Sequence, residues 1–442
     1  MKQQGPWHGE LDTGIVRMRL AFHLDREAQV AHLQTKAFGE ITVPVRHEQG
    51  RVAFAAPQAE IALELRQDAT GTRLTGFCRH LAARYPISFQ PDAPAPPPRG
   101  LRPQTPQGPF PYTSEEVVFE GADGTPRAGT LSRPHGMLRG AVILNSWYGQ
   151  TDRDQTTAGH KPLAIWADEL TRRGFATLRF DKRGAGASGG EFLETTTADL
   201  VQDLACAVAW LRLQPDIDPH SIGLMGHSEG GHVAADVAAA DPDIAFCVAM
   251  TPTGARDGET MPTDLFLAVR AVGGEPVREM EVVDMYLRLF AIERAGAGLN
   301  ETMVRVRRVL EAAVDDGLYM AEKVAARTAL VAWRWRRHWL AYDPTAAMAR
   351  LTCPTLVVFA ERDLQTPPSS HAPRIRARLA DHPQATVLEL KGLNHFLQTA
   401  VTGAPSEYGA ITETLAPSAV AEVCGWIENV ADGFAAKADR NR

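Results

Sequence analysis

Gly226-His227-Ser228-Glu229-Gly230 constrains this chain more than any other stretch. It lies between an apolar run, Ser221–Met225, that reads as a strand, and a helix-like run, Gly231–Ala240. Strand, G-x-S-x-G, helix is the pattern of a turn so tight that the serine takes a strained backbone and projects its hydroxyl. A side chain in place of either glycine would collide with the neighbouring strand and helix. The pentapeptide alone is a common pattern, so its flanks and its partners elsewhere decide its meaning.

The flanks call for alternation of strands and helices, and the chain supplies it. Val117–Glu120 and Ala128–Ser132 read as an opening hairpin, and Gly140–Asn145 as a buried strand. Lys161–Arg173 is an amphipathic helix, Ala176–Phe180 a strand and Thr196–Leu213 a long helix. Beyond the serine, Ala245–Met250, Thr355–Phe359 and Ala385–Leu390 read as strands, and Pro417–Phe434 as a closing helix. Such alternation predicts a mostly parallel sheet with helices on both faces. Between Met250 and Thr355 the periodicity is helical, over Leu265–Ala291, Glu301–Ala313 and Leu318–Leu340. An excursion there predicts a helical cap.

At 442 residues the chain is long for one domain. Nine prolines between Pro91 and Pro111 read as a semi-rigid extended connector. Before it, Val52-x-Phe54 and Ile61-x-Leu63-x-Leu65 alternate with period two, which predicts an antiparallel meander or small open barrel. The expected division is a β-domain over 1–90, a connector over 91–111, an α/β domain over 112–254 and 346–442, and a cap over 255–345.

Serine chemistry needs a base, and the base needs an orienting acid. Asp363 follows the strand ending near Phe359, and His395 follows the last strand, in Gly392-Leu393-Asn394-His395. Both then fall at the carboxyl edge of the sheet, with Glu361 a rival acid. His395 would take the serine proton, and Asp363 would hold the ring tautomer. The backbone N–H of Glu229 is one expected donor to the oxyanion.

Four segments carry a family resemblance: Asp152-Arg153-Asp154, Gly159-His160-Lys161-Pro162, Asp181-Lys182-Arg183-Gly184-Ala185-Gly186-Ala187-Ser188 and Gly226–Gly231. They resemble a bacterial α/β-hydrolase family of serine esterases, related to prolyl oligopeptidase and serine aminopeptidase groups. The opening Trp7-x-Gly9-x-Leu11 resembles the lipocalin-like β-domain that precedes some bacterial esterases. The resemblance implies the α/β-hydrolase fold, hydrolysis through an acyl-enzyme, and Ser228, Asp363 and His395 as its triad. The family's Ser-Gly-Ser-Gly loop is replaced here by Asn145-Ser146-Trp147-Tyr148-Gly149-Gln150. That loop looks more like the Pro-Tyr-Gly loop of cocaine-esterase-like and X-prolyl dipeptidyl peptidase enzymes, where a tyrosine hydroxyl binds the oxyanion. Tyr148 is therefore the expected second donor, by hydroxyl or by backbone N–H; alternatively Trp147 and Tyr148 line the acyl pocket.

Trp335 and Trp339 share a helix face and either wall a substrate pocket or pack inward. His227 is expected to pack beside the elbow, not to act as a second base, and is a candidate lining residue of the substrate pocket. Asp181-Lys182-Arg183-Gly184, after a strand end, reads as a structural turn whose arginine ties loops together, with substrate contact the alternative. Glu229 either holds a cationic group or is paired within the fold. A net charge of −7 gives no footprint for nucleic acid or anionic membrane, and no apolar run spans a bilayer. No metal or organic cofactor is implied. The opening residues lack an apolar signal core, so the expected compartment is the cytoplasm, unless a signal has been removed. The expected partner is a small ester or amide, with a homodimer left open. An ester hydrolase leads; a peptidase or amidase, an acyltransferase, thioesterase or cyclase, and a catalytically inactive binding protein are the alternatives.

Overall fold

Alternating apolar residues in the first ninety positions build a barrel. The computed structural model describes the chain except residues 1–5, 13–16, 26, 36–38, 49, 57–60, 81–82, 92–101, 257–258, 261–263, 265–266, 268–278, 320 and 441–442. Eight antiparallel strands follow one another: β1 (Trp7–Asp12), β2 (Arg17–Asp25), β3 (Val30–Thr35), β4 (Gly39–Glu48), β5 (Arg51–Ala56), β6 (Ile61–Gln67), β7 (Leu74–His80) and β8 (Ala83–Pro91). β8 returns to pair with β1, Gly9 opposite Phe89, and closes the sheet, which corrects the expected meander or open barrel because the two edge strands pair with each other. Closure leaves no unpaired edge. Trp7, Leu11, Leu20, Leu33, Phe54 and Leu63 fill the interior around Phe22. The Phe22 ring meets Phe54 and Phe89 edge-on at 5.0 and 4.8 Å.

The second sheet has eight strands: β9 (Tyr112–Glu120), β10 (Pro126–Pro134), β11 (Gly140–Asn145), β12 (Phe175–Phe180), β13 (Ile222–His227), β14 (Phe246–Met250), β15 (Thr355–Ala360) and β16 (Ala385–Leu390). Their spatial order is β16-β15-β14-β13-β11-β12-β10-β9. β9 and β10 form the antiparallel hairpin, β10 runs antiparallel to β12, and the rest are parallel. Every residue of β11 is buried, because alternate side chains feed two cores. Ala141 and Ile143 enter one, with α2 (Thr197–Arg212), α3 (Glu229–Ala240) and α8 (Pro368–Arg378). Val142 and Leu144 enter the other, with α1 (Pro162–Arg172) and α9 (Pro417–Arg440). Local sequence starts these helices: Pro162 opens α1, and Thr196 and Asp199 exchange capping bonds at α2. The chain has the α/β-hydrolase fold preceded by a closed antiparallel barrel.

By compactness the chain divides into 1–100 with 280–332 and 405–410, and 101–279 with 333–404 and 411–442. The first unit contains the barrel and α4 (Glu279–Arg294), α5 (Leu299–Asp315) and α6 (Val324–Ala329). Met285, Leu289, Val306 and Leu310 form a small core among those helices, while Met280 is exposed. α7 (Arg334–Ala341) belongs to the second unit. The expected single helix over Leu318–Leu340 is thus corrected: the chain breaks at Trp333, whose extended backbone (φ −67°, ψ 122°) interrupts the helix. Most of the expected helix beginning at Leu265 lies outside the described residues. The later half of the Pro-rich segment is also more than a connector, because Arg102 donates to the carbonyls of Ile411 and Ala158, and Gln104 to that of Leu415. No helix among the described residues is long and apolar enough to cross a membrane.

Candidate active site

β11 and β13 are neighbours, and the connections from their carboxyl ends run in opposite directions, β11 towards β12 and β13 towards β14. A crevice at the carboxyl ends of the strands is the geometric result. Ser228 stands there, between β13 and α3, with φ +55° and ψ −120°. Its N–H donates to the Met250 carbonyl at 2.8 Å, which ties the turn to β14. A Cβ on Gly226 would stand 2.0 Å from the Gly230 carbonyl oxygen, and one on Gly230 2.5 Å from the carbonyl oxygens of Asn145 and Ser146. Gly226→Ala is therefore expected to cost about 3 kcal/mol or prevent folding. A urea midpoint equal to that of the wild type would contradict this packing.

Asp363 and His395 come together from the loops after β15 and β16. The His395 Nδ1–H donates to Asp363 Oδ2 at 2.7 Å, and both side chains are buried. Thr366 Oγ donates to the same oxygen at 2.7 Å. The N–H groups of Gln365 and Thr366 donate to Oδ1 at 2.8 and 2.9 Å. Burial alone would raise the Asp363 carboxyl; His395 and the Thr366 bonds outweigh it and hold it below its usual range. The rival Glu361 is exposed, and it binds Lys391 and the Gly392 N–H instead.

His227 is buried, and both of its ring nitrogens are bonded within the protein. Gln155 Nε2 lies 2.8 Å from Nδ1, and the His395 carbonyl 2.8 Å from Nε2. Burial, and then His395, hold its imidazole down to about 3. His227 is therefore neutral at ordinary pH, packed beside the elbow with both nitrogens bonded within the protein. Trp147 lies beside it, 5.5 Å from its ring and 4.3 Å from that of Phe396. The Trp147 N–H donates to Gln155 Oε1 at 3.1 Å, and its carbonyl accepts from the Lys182 ammonium.

The family model described as serine aminopeptidase, S33, matches residues 163–399, a span that holds Ser228, Asp363 and His395. The chain belongs to the serine aminopeptidase S33 family. It is a hydrolase. An uncharacterized 31.7 kDa protein of the traX-finO intergenic region of Escherichia coli is 30% identical over 212 residues, 47% of this chain and 68% of that one. The thiohydrolase aneE of Aspergillus aculeatus is 36% identical over 148 residues, 32% of this chain and 42% of that one. Among solved structures, the Pyrococcus furiosus esterase Pf2001 aligns with 76% of this chain and 99% of its own, at 16% identity and a TM-score of 0.43.

In this hydrolase the tryptophans of α7 lie near α3. Trp335 stacks on Trp339 at 5.4 Å, and its indole N–H donates to Glu229 Oε1 at 2.7 Å. The Trp339 ring lies 5.9 Å from His232 on α3. The Tyr148 ring, half-exposed, packs on Trp335 at 4.5 Å. Glu229 also accepts from Thr197 at 2.8 Å and pairs with Lys182 at 3.3 Å. Burial, outweighing Glu229, pushes the Lys182 ammonium below the usual lysine range. Arg183 and Arg127 both bind the buried carboxylate of Asp203. Sequence reasoning missed Gln155, which carries no motif signal. It quoted Lys182 only as part of a turn, although a lysine in the turn after a buried strand is a candidate buried charge.

Proposed function

We propose that this protein cleaves carboxylic esters of small or medium organic acids through an acyl-enzyme on Ser228. The observation that carries the reading is the buried Asp363–His395 bond at the same strand ends as the strained serine. With Nδ1–H held by Asp363, the other ring nitrogen of His395 is the basic one. It takes the Ser228 proton as the hydroxyl attacks the ester carbonyl, and returns it to the leaving alcohol. Water then attacks the acyl-enzyme by the reverse path.

The oxyanion would be held by backbone N–H groups of Glu229 and Tyr148. Glu229 is the first residue of α3, where N–H groups precede the helical ladder. The packing of the phenol ring on Trp335 supports a backbone role for Tyr148. Tyr148→Phe is then expected to keep turnover within about twofold. A fall of about a hundredfold or more in kcat would assign the oxyanion contact to the hydroxyl.

The ester reading is favoured over an aminopeptidase because the carboxylate beside the nucleophile is already occupied. Glu229 is bound by Lys182, Thr197 and Trp335, and so does not offer itself to a substrate ammonium. The test is intact-protein mass spectrometry after a fluorophosphonate probe, followed by panels of esters, thioesters and amides. One adduct and fastest turnover on esters is the expected result. Preference for thioesters or for amides would replace the ester assignment, and the absence of an adduct on folded protein would favour a binding protein.

A further inference from the structure

We propose that Gln155 and Lys182 are positioning residues, a two-armed clamp that fixes the Trp147–Tyr148 peptide relative to Ser228. The inference rests on the reading of Ser228 as nucleophile.

Trp147 is gripped at both backbone groups, and each grip ends on a neighbour of the serine. One arm is Gln155, 1% exposed and held at φ +57°, a left-handed conformation disfavoured for a side chain of this kind. An N–H can only donate, so the Trp147 N–H requires the amide oxygen of Gln155. The amide nitrogen must then face His227, whose Nδ1 has to be the unprotonated one. The ring proton is left on Nε2, where it donates to the carbonyl of His395. Each link dictates the next, so the chain runs in one direction from the oxyanion loop to the base. The other arm is Lys182, which donates to the Trp147 carbonyl and pairs with Glu229 Oε2 at 3.3 Å.

His227 and Glu229 flank Ser228, so the clamp ties the loop to the turn on both sides. With its N–H and carbonyl both bonded, Trp147 cannot rotate its peptide planes independently. The following peptide is trans, and the Tyr148 N–H therefore points away from the carbonyl that Lys182 holds. A donor aimed before the reaction needs no reorientation as charge develops on the oxyanion. The ionisable groups that face His227 are His395, 5.1 Å away ring to ring, and Asp363 behind it.

The test uses the full chain, with p-nitrophenyl acetate and a fluorophosphonate as probes. Gln155→Leu and Lys182→Met are expected to lower kcat about 10- to 100-fold with KM within about twofold, and to slow labelling of Ser228 in parallel. Lys182→Arg should recover part of the loss. Gln155→Glu gives the directional test. A carboxylate still accepts from Trp147 but cannot donate to His227. One added proton restores the bonding, either on the introduced carboxyl, which then donates to Nδ1, or on His227, whose imidazolium donates to both the carboxylate and the His395 carbonyl. The ratio of variant to wild-type kcat/KM should therefore be highest at low pH and fall as that shared proton is lost. Folded variants with wild-type kcat, or a Gln155→Glu ratio that does not vary with pH, would overturn the clamp. If the leucine and methionine variants do not fold, the near-isosteric Gln155→Glu still decides it. A wild type that is not labelled at Ser228 would defeat the hydrolase reading and the clamp's role with it. A labelled wild type with unaffected variants would defeat the clamp alone.

Discussion

Replacing Ser228 with alanine is expected to lower turnover by about four to six orders of magnitude while the chain stays folded. Attack on the carbonyl needs the hydroxyl, and nothing adjacent can substitute for it. His227 has both nitrogens committed, and Glu229 is held by three side chains. The structural cost should be small. The Ser228 side chain makes no capping bond to α3, and alanine meets the same left-handed backbone that serine already tolerates. The measurements are kcat on the best ester and the mass of the protein after fluorophosphonate treatment. The wild type should gain one adduct and the variant none. Turnover retained by the variant would remove Ser228 from the mechanism.

Asp363→Asn should lower kcat by about four orders of magnitude near neutral pH, with the fold preserved. Both carboxylate oxygens of Asp363 face donors: two N–H groups at Oδ1, and His395 with the Thr366 hydroxyl at Oδ2. An asparagine has one oxygen. Keeping it on the two rigid N–H groups puts the amide NH2 against His395. That ring must then accept at Nδ1 and carry its proton on Nε2, where it cannot take the serine proton. A variant within tenfold of wild type would show that Asp363 does not set the tautomer. The same carboxyl makes stability depend on pH. Its folded pKa lies below the ordinary 3.8, so its contribution is present above that value and lost as pH falls through the folded pKa. The stability gap between wild type and Asp363→Asn should therefore shrink below about pH 4, as read from urea midpoints.

The parallel strands of the α/β sheet were legible as short runs rich in apolar residues, and Gly140–Asn145 and Ala385–Leu390 appear with the bounds read from sequence; β9 begins earlier than expected because its first half is polar. The elbow was legible too. Gly226 answers to backbone crowding by Gly230 and Gly231, a local constraint written in a local motif, whereas Gly230 answers to the distant carbonyls of Asn145 and Ser146. The break at Trp333 was not, because a tryptophan- and arginine-rich stretch has good helical periodicity on either side and nothing in it forbids an extended residue. Barrel closure was open for a similar reason: alternation states which face is apolar, not whether the last strand returns to the first.

For the site, the order of motifs pointed to Ser228, Asp363 and His395 as candidates. That Asp363 rather than Glu361 meets His395 was decided by the turn after β15, which buries one carboxylate and leaves the other beside Lys391. The roles of Gln155 and Lys182 were decided only in three dimensions. Gln155 reaches His227 across 72 positions, and Lys182 reaches Glu229 across 47. Sequence records which groups can donate and accept, and the elbow it encodes is a property of neighbouring residues. Which distant donor meets which acceptor depends on how the strands align, and that alignment exists only once the sheet has formed.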